Sequence, residues 1–177
     1  MKFRPPFRRI AFALTFALVV AERQPALAAA GTLPRLEADS LGGTHVVLPT
    51  DAAGKPLVLL LAFTKEAQPD LKLWSKRFLT DRLGDRAAVY VVVVADKVAF
   101  GRKHVRQIVE GAAVGTQRQI NDSVLITFNG DGWRQLTPPG DKKTAGIVVC
   151  DAGGSILIAK RESFDDANVA EVEKAAK

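Results

Sequence analysis

Leu57-Val58-Leu59-Leu60-Leu61-Ala62-Phe63 is an unbroken run of seven apolar residues set between Lys55-Pro56 and Thr64-Lys65. A strand with one wet face alternates apolar and polar positions, so a continuous run bounded by turn residues predicts a central strand covered on both faces. Downstream, Leu71, Trp74, Phe78, Leu79 and Leu83 recur at helical spacing, with Lys72, Lys76, Arg77, Asp81 and Arg82 between them. This predicts an amphipathic helix that ends at Gly84. Ala87–Ala95 follows as a second continuous run, rich in β-branched valine. Strand, helix and strand at this spacing form a βαβ unit, whose strands are parallel and whose crossover is right-handed.

Beyond that unit the pattern predicts a second helix over Arg102–Ala113, with Val105, Ile108 and Val109 on one side and Gly111 and Gly115 closing it. Val124–Phe128 reads as a short strand, Asn129-Gly130-Asp131-Gly132 as a turn, and Pro138-Pro139-Gly140-Asp141 as an irregular connection. Gly146–Asp151 and Ser155–Lys160, joined through Asp151-Ala152-Gly153-Gly154, read as a hairpin. Phe164–Ala176 closes the chain as a helix started by Ser163 or Asp165, with Val169, Val172 and Ala175 inward. Upstream, Thr44–Pro49 reads as a short strand, and Gly31–Leu41 as an irregular lead-in. No internal repeat is present.

A βαβ unit, a further helix, a hairpin and a final helix give the order of a thioredoxin-like domain, an α/β fold with a central mixed sheet flanked by helices. Two stretches resemble that superfamily in residues as well as in order. Leu57–Phe63 resembles its hydrophobic strand ending in Phe, and Ala145–Leu157 resembles its final hairpin of apolar residues, Asp, a Gly turn and apolar residues again. The resemblance covers about Leu36–Lys174 and is closest to exported redoxin-type proteins. It is weaker toward thioredoxin-fold assembly factors of respiratory complexes, which act as binding modules and in some cases hold copper through Cys and His.

The departures from that family decide the chemistry. Its C-x-x-C motif would fall on Gln68-Pro69-Asp70-Leu71, which holds no cysteine, and Ala145 stands where the family places a proline before the penultimate strand. The buried acid that the family carries before the Phe is replaced by Ala62. Thiol exchange runs through a mixed disulfide between sulfurs, so these positions cannot perform it.

The first residues carry an address. Lys2, Arg4, Arg8 and Arg9 precede the apolar stretch Ile10–Val20, broken only by Thr15, and Pro25-Ala26-Leu27-Ala28 offers a small-residue cleavage site. This is the pattern of a cleavable secretory signal over residues 1–28, with Ala30 as the later cut, leaving one thioredoxin-like domain over 29–177. The apolar run is too short for a span, which needs about 20 residues. Arg8-Arg9 is a candidate twin-arginine element, although Ile10-Ala11 lacks the usual context. The expected location is periplasmic or secreted, with no membrane span once the signal is cut.

Removing that segment also removes the basicity. It holds five of the 25 basic residues and only Glu22 of the 19 acidic ones, leaving 20 against 18. The remaining charges alternate along the chain, so nucleic acid is not an expected partner. The expected partner is another exported or membrane-associated protein.

Candidate chemistry is sparse. Lys65, Glu66, Gln68, Pro69 and Asp70 occupy the loop where this fold carries its site, and form the candidate interaction loop. Asp70 has a second reading as a cap of the helix that follows. Trp133, beside the Asn129–Gly132 turn, is a candidate aromatic contact for a partner, whereas Trp74 lies on the apolar helix face. Cys150 is the single cysteine, so no internal disulfide is expected. In Ile147-Val148-Val149-Cys150 it reads as a small core hydrophobe, the alternative being a lone catalytic or redox thiol. His45 and His104 are the only histidines, and without ligand spacing no metal or other cofactor is expected, a small metal or haem carrier being the remaining alternative. Gly130-Asp131-Gly132 and Gly153-Gly154 lie at no strand-to-helix junction and are turn glycines. The residues favour an exported, non-catalytic binding or assembly module.

Overall fold

In a computed structural model the structure describes residues 31–52, 54–80, 83–95 and 116–177. The expected signal segment and the helix expected over 102–113, with His104, lie outside them. The strands are β1 (Leu36–Ser40), β2 (His45–Leu48), β3 (Leu57–Ala62), β4 (Ala88–Val94), β5 (Val124–Thr127), β6 (Gly146–Cys150) and β7 (Ile156–Arg161). The helices are α1 (Gln68–Thr80), α2 (Leu83–Arg86), α3 (Gln117–Ser123), α4 (Asp131–Arg134) and α5 (Asp166–Ala175). Among them no helix is long and apolar enough to cross a membrane.

One mixed sheet runs β2-β1-β5-β4-β3-β6-β7. The strands β3, β4 and β5 are parallel, while β6 runs antiparallel to β3 and β7 to β6. Every residue of β3 is buried, and alternate side chains enter opposite cores: Val58, Leu60 and Ala62 on one face, Leu57, Leu59 and Leu61 on the other. This is why the run is continuous rather than alternating. The first face receives Leu71, Trp74 and Phe78 of α1 and Val169 and Val172 of α5, with Trp74 stacked on Phe78 and edge-on to Phe164.

The N-terminal segment corrects the expected irregular lead-in. Leu36-Glu37-Ala38-Asp39-Ser40 alternates buried and exposed positions and forms β1, which pairs with β2 and, through Asp39 and Ser40, with β5. At its other end Leu33 N–H donates to Gly154 O, and Gly31 O accepts from Ile156 N–H. Residues 31–40 therefore cross one face of the sheet as a strap, from the β6–β7 hairpin to β5, and carry Leu33, Leu36 and Ala38 into the second core. The alternation is a period-2 signal, but small Ala38 and Ser40 weaken it, and its stability depends on a face assembled much later in the chain.

Of two further elements, one carried no expectation and the other differs from its expectation. Residues 117–123 form α3, opened by Thr116, whose hydroxyl accepts Gln119 N–H while the Gln119 side chain accepts Thr116 N–H. That reciprocal capping box is a legible Thr-x-x-Gln pattern. The expected turn at Asn129–Gly132 instead leads into the helical turn α4, and a Cβ on Gly130 would run into the Arg134 guanidinium.

Candidate functional site

The chain leaves β3 at Phe63, passes a 3-10 turn over Lys65–Ala67 and enters α1 at Gln68. Proline is tolerated in the first helical turn because its missing N–H has no intrahelical partner there, and Pro69 takes such a place. Lys65, Glu66 and Pro69 are exposed, while Gln68 and Asp70 are half-buried. The connection from Pro138 to Ala145 lies against this loop, because the Thr64 hydroxyl donates to Lys142 O at 2.5 Å. The Glu66 carboxyl is held below its ordinary range first by accepting its own backbone N–H, with Lys142 and Lys65 adding to the effect.

Asp70 corrects the capping assignment. Its Oδ2 accepts Ala145 N–H at 2.9 Å and its Oδ1 accepts Phe164 N–H at 2.8 Å, so one carboxylate joins α1, the entrance of β6 and the lead-in to α5. Both oxygens accept main-chain N–H groups, which gives Asp70 a structural role beside its place in the candidate interaction loop. Ala145 is fully buried, and its N–H is the group that a proline at this position would lack.

The floor beside the loop is packed tightly. A Cβ on Gly146 would approach the Phe63 ring to 3.1 Å and Thr137 to 3.2 Å, so β6 begins in close contact with both. The Arg161 guanidinium lies 4.6 Å above the Phe63 ring and donates from Nη1 to Gly140 O at 3.4 Å, while its buried Nε has no hydrogen-bond partner. Burial pushes this guanidinium below its ordinary pKa, with Asp141 acting in the opposite direction.

The other candidates do not join the loop. Trp133 is 1 % exposed and packs in the second core, which corrects its reading as a partner contact. Cys150 is fully buried in that same core. It pairs with Leu57, whereas Gly146 pairs with Leu61, so the thiol lies four residues from the site end of β6, about 13 Å at strand rise. Burial first, and Asp151 second, push its pKa up to about 11. A thiolate is the reactive form of cysteine, and this site disfavours it. Cys150 is therefore expected to resist a thiol reagent at mildly alkaline pH in the folded protein and to react once denaturant is added; rapid labelling of the native chain would contradict this burial.

His45 is exposed on the β1–β2 hairpin, with Nδ1 3.0 Å from Asp39 Oδ1 and Nε2 3.7 Å from Glu37 Oε2. Its pKa is raised, chiefly by the hydrogen bond to Asp39. Among the described residues no group of three or more His, Cys, Asp or Glu is placed to hold a metal ion.

The groups exposed around the start of α1 are cations, one carboxylate, Pro69 and Leu73, with the half-buried amide of Gln68 beside them. The two positions of the family's dithiol hold half-buried Gln68 and fully buried Leu71, so no sulfur faces the loop. The tether through Asp70 carried no sequence signal, because its two donors lie 75 and 94 residues away along the chain.

At the level of sequence the chain matches no described protein family and no characterised relative. Its fold matches many solved structures. The exposed lipoprotein thioredoxin Etrx1 of Streptococcus pneumoniae aligns with a TM-score of 0.55 at 16 % identity, over 79 % of this chain and 98 % of that one. The thioredoxin domain of a thiol-disulfide oxidoreductase from Bacteroides vulgatus aligns at 0.54 and 18 %, over 84 % and 97 %. BsSco, of the Sco family of cytochrome c oxidase assembly proteins, aligns at 0.55 and 10 %, over 82 % and 94 %.

Proposed function

We propose that this chain, a thioredoxin-like domain, serves as an exported binding or assembly module that contacts another exported or membrane-associated protein through the loop Lys65–Pro69. The observation that carries this reading is the end of β3 and start of α1: the fold presents its usual site there, but with Gln68 and Leu71 in place of a dithiol. Similar structures include both thiol oxidoreductases and a member of an assembly-protein family, so the fold accommodates either role. The burial of Cys150 favours the second over a single-thiol enzyme.

The test is a photo-crosslinking residue at Gln68 or Pro69 in the full chain, expressed in its own cell, with the same residue at exposed Thr44 as control. A discrete crosslinked partner from the loop positions and none from Thr44 is expected, unchanged by Cys150→Ser. Loss of function in Cys150→Ser at unchanged stability would overturn the binding reading in favour of a thiol enzyme. Absence of any loop-specific partner would sink it outright. Export is checked separately, by N-terminal sequencing of the exported protein, which is expected to begin at Ala29 or Gly31.

A further inference from the structure

At the site end of the sheet one cation is held in place with no anion to meet it. Arg161 closes β7 opposite Gly146 of β6, and Gly146 lies opposite Leu61 of β3, so the three stand at the level where β3 passes into the loop. Directly paired residues of antiparallel strands project to the same face, so Arg161 leaves the sheet on the side where Gly146 would carry a Cβ. That side holds the Phe63 ring and Thr137. With no side chain on Gly146 the ring lies against β6, and the Arg161 guanidinium lies over it, 4.6 Å from its centroid.

The connection from Pro138 to Ala145 fixes the rest of the side chain. A Cβ on Gly140 would come within 2.8 Å of Arg161 Cδ, so this glycine rests on the arginine stem, and its carbonyl accepts from Nη1 at a long 3.4 Å. Nε is enclosed and meets no acceptor. Nη2 meets none among the described residues either, yet it is not enclosed, so the Nη1–Nη2 end is the open side of the group. The adjacent cation of the same strand, Lys160, is treated differently: Glu162, Glu171 and Asn168 all meet it on the opposite face. Among the described residues no carboxylate pairs with Arg161, and Asp141 acts on its charge only from a distance, while its Oδ1 accepts Lys143 N–H. A charge drawn partly out of water without a counter-charge is costly, and proteins ordinarily pair it.

We infer that Arg161 is a binding site for a carboxylate of the protein partner, which accepts from the Nη1–Nη2 end of the guanidinium beside the Phe63 ring. The inference rests on the binding role proposed above and names the group of the partner that is recognised. A planar carboxylate matches a planar guanidinium through two parallel N–H···O bonds, and the stacking on Phe63 orients that fork before the ligand arrives. A singly charged carboxylate fits better than a doubly charged phosphate, because Asp141 repels the second negative charge. The position fits a protein partner, because the connection that rests on Arg161 is itself held to the loop by the Thr64 hydroxyl and Lys142 O, so one contact surface takes in both.

The first probe is sodium acetate, titrated against sodium chloride at equal ionic strength into the isotope-labelled chain while the Gly140 and Gly146 amides are followed by NMR. Saturable shifts with acetate and none with chloride are expected, weakened about tenfold in Arg161→Lys, which keeps the charge and loses the fork, and absent in Arg161→Met. Arg161→Met is expected to melt at or above the wild-type midpoint, since it removes an unpaired charge and keeps an apolar stem. The second probe is the Gln68 photo-crosslink in the full chain, whose partner yield should fall about tenfold in Arg161→Met. The inference is overturned by the lack of an acetate-specific shift, by equal acetate binding in Arg161→Lys or Arg161→Met, or by tighter binding of phosphate than of acetate. Acetate-specific shifts with an unchanged crosslink yield would make this a site for a free small acid, which overturns the inference and leaves the binding role standing. If the wild-type chain captures no partner at all, the binding role fails and the inference with it.

Discussion

Replacing Asp70 by alanine is expected to lower the unfolding free energy by about 3 kcal/mol, a large effect for a half-buried surface carboxylate. The loss does not come from the side chain's own burial. Ala145 is fully buried, so its N–H, deprived of Asp70 Oδ2, finds no water to replace it. Phe164 is half-buried and its N–H recovers part of its hydration, which makes the Ala145 donor the larger contribution. Asn is expected to rescue little, since a carboxamide offers one oxygen to two donors and turns an N–H₂ toward the other. Ala145→Pro removes one of the same donors and should be strongly destabilising as well. The two changes share a hydrogen bond, so the double variant should lose clearly less than the sum of the single ones. Urea denaturation of the four proteins decides the matter: a loss below about 1 kcal/mol for Asp70→Ala would mean that the carboxylate does not hold these segments together. The result bears on function too, because Ala145 stands where the resembled family carries proline, and here its N–H has become a structural anchor.

Trp133→Ala is expected to cost about 3–5 kcal/mol, the range for deleting a large aromatic from a closed core. The side chain is 1 % exposed and shares its core with Leu36 of the strap, Leu48 of β2, Leu125 of β5 and Leu136 just after α4, among others. Few of these neighbours can collapse into the space, because β3 and β6 behind them are ladder-bonded on both sides. The measurement is a thermal or urea transition of the variant beside wild type, and Trp133→Phe should recover much of the loss. If Trp133→Ala instead retained full stability while losing a partner, the aromatic would be an interface residue and its place in the core would be wrong.

Much of the sheet was legible because its central strands need no partner to identify them. Leu57–Ala62 and Ala88–Val94 are apolar throughout, and a strand must be buried on both faces for that composition to be stable. The hairpin after Ala145 was equally plain, since Gly-containing turn residues separate two apolar runs. Legibility fell where apolar character was diluted. In β1 the inward positions include Ala38 and Ser40, and in α4 the buried Trp133 follows three residues, Gly130-Asp131-Gly132, that read as a turn. The site was legible only as a loop. Its place after β3 followed from the order of elements, but Lys65, Glu66, Gln68, Pro69 and Asp70 could not be separated by role from their neighbours in sequence. Of these, Asp70 alone turned inward to the main chain.

The division between the two sources of information has a simple physical basis. Local sequence by itself determined the covered strands, the amphipathic helix between them, and the absence of sulfur at Gln68 and Leu71, because each is a property of adjacent or regularly spaced residues. Only the tertiary structure decided that residues 31–40 form a strap, that Trp133 is enclosed in the core that Cys150 also joins, and that Asp70 is a tether. Each of those outcomes depends on groups brought together from distant parts of the chain, where burial and unmet hydrogen-bonding capacity fix a residue's role and local composition leaves no mark.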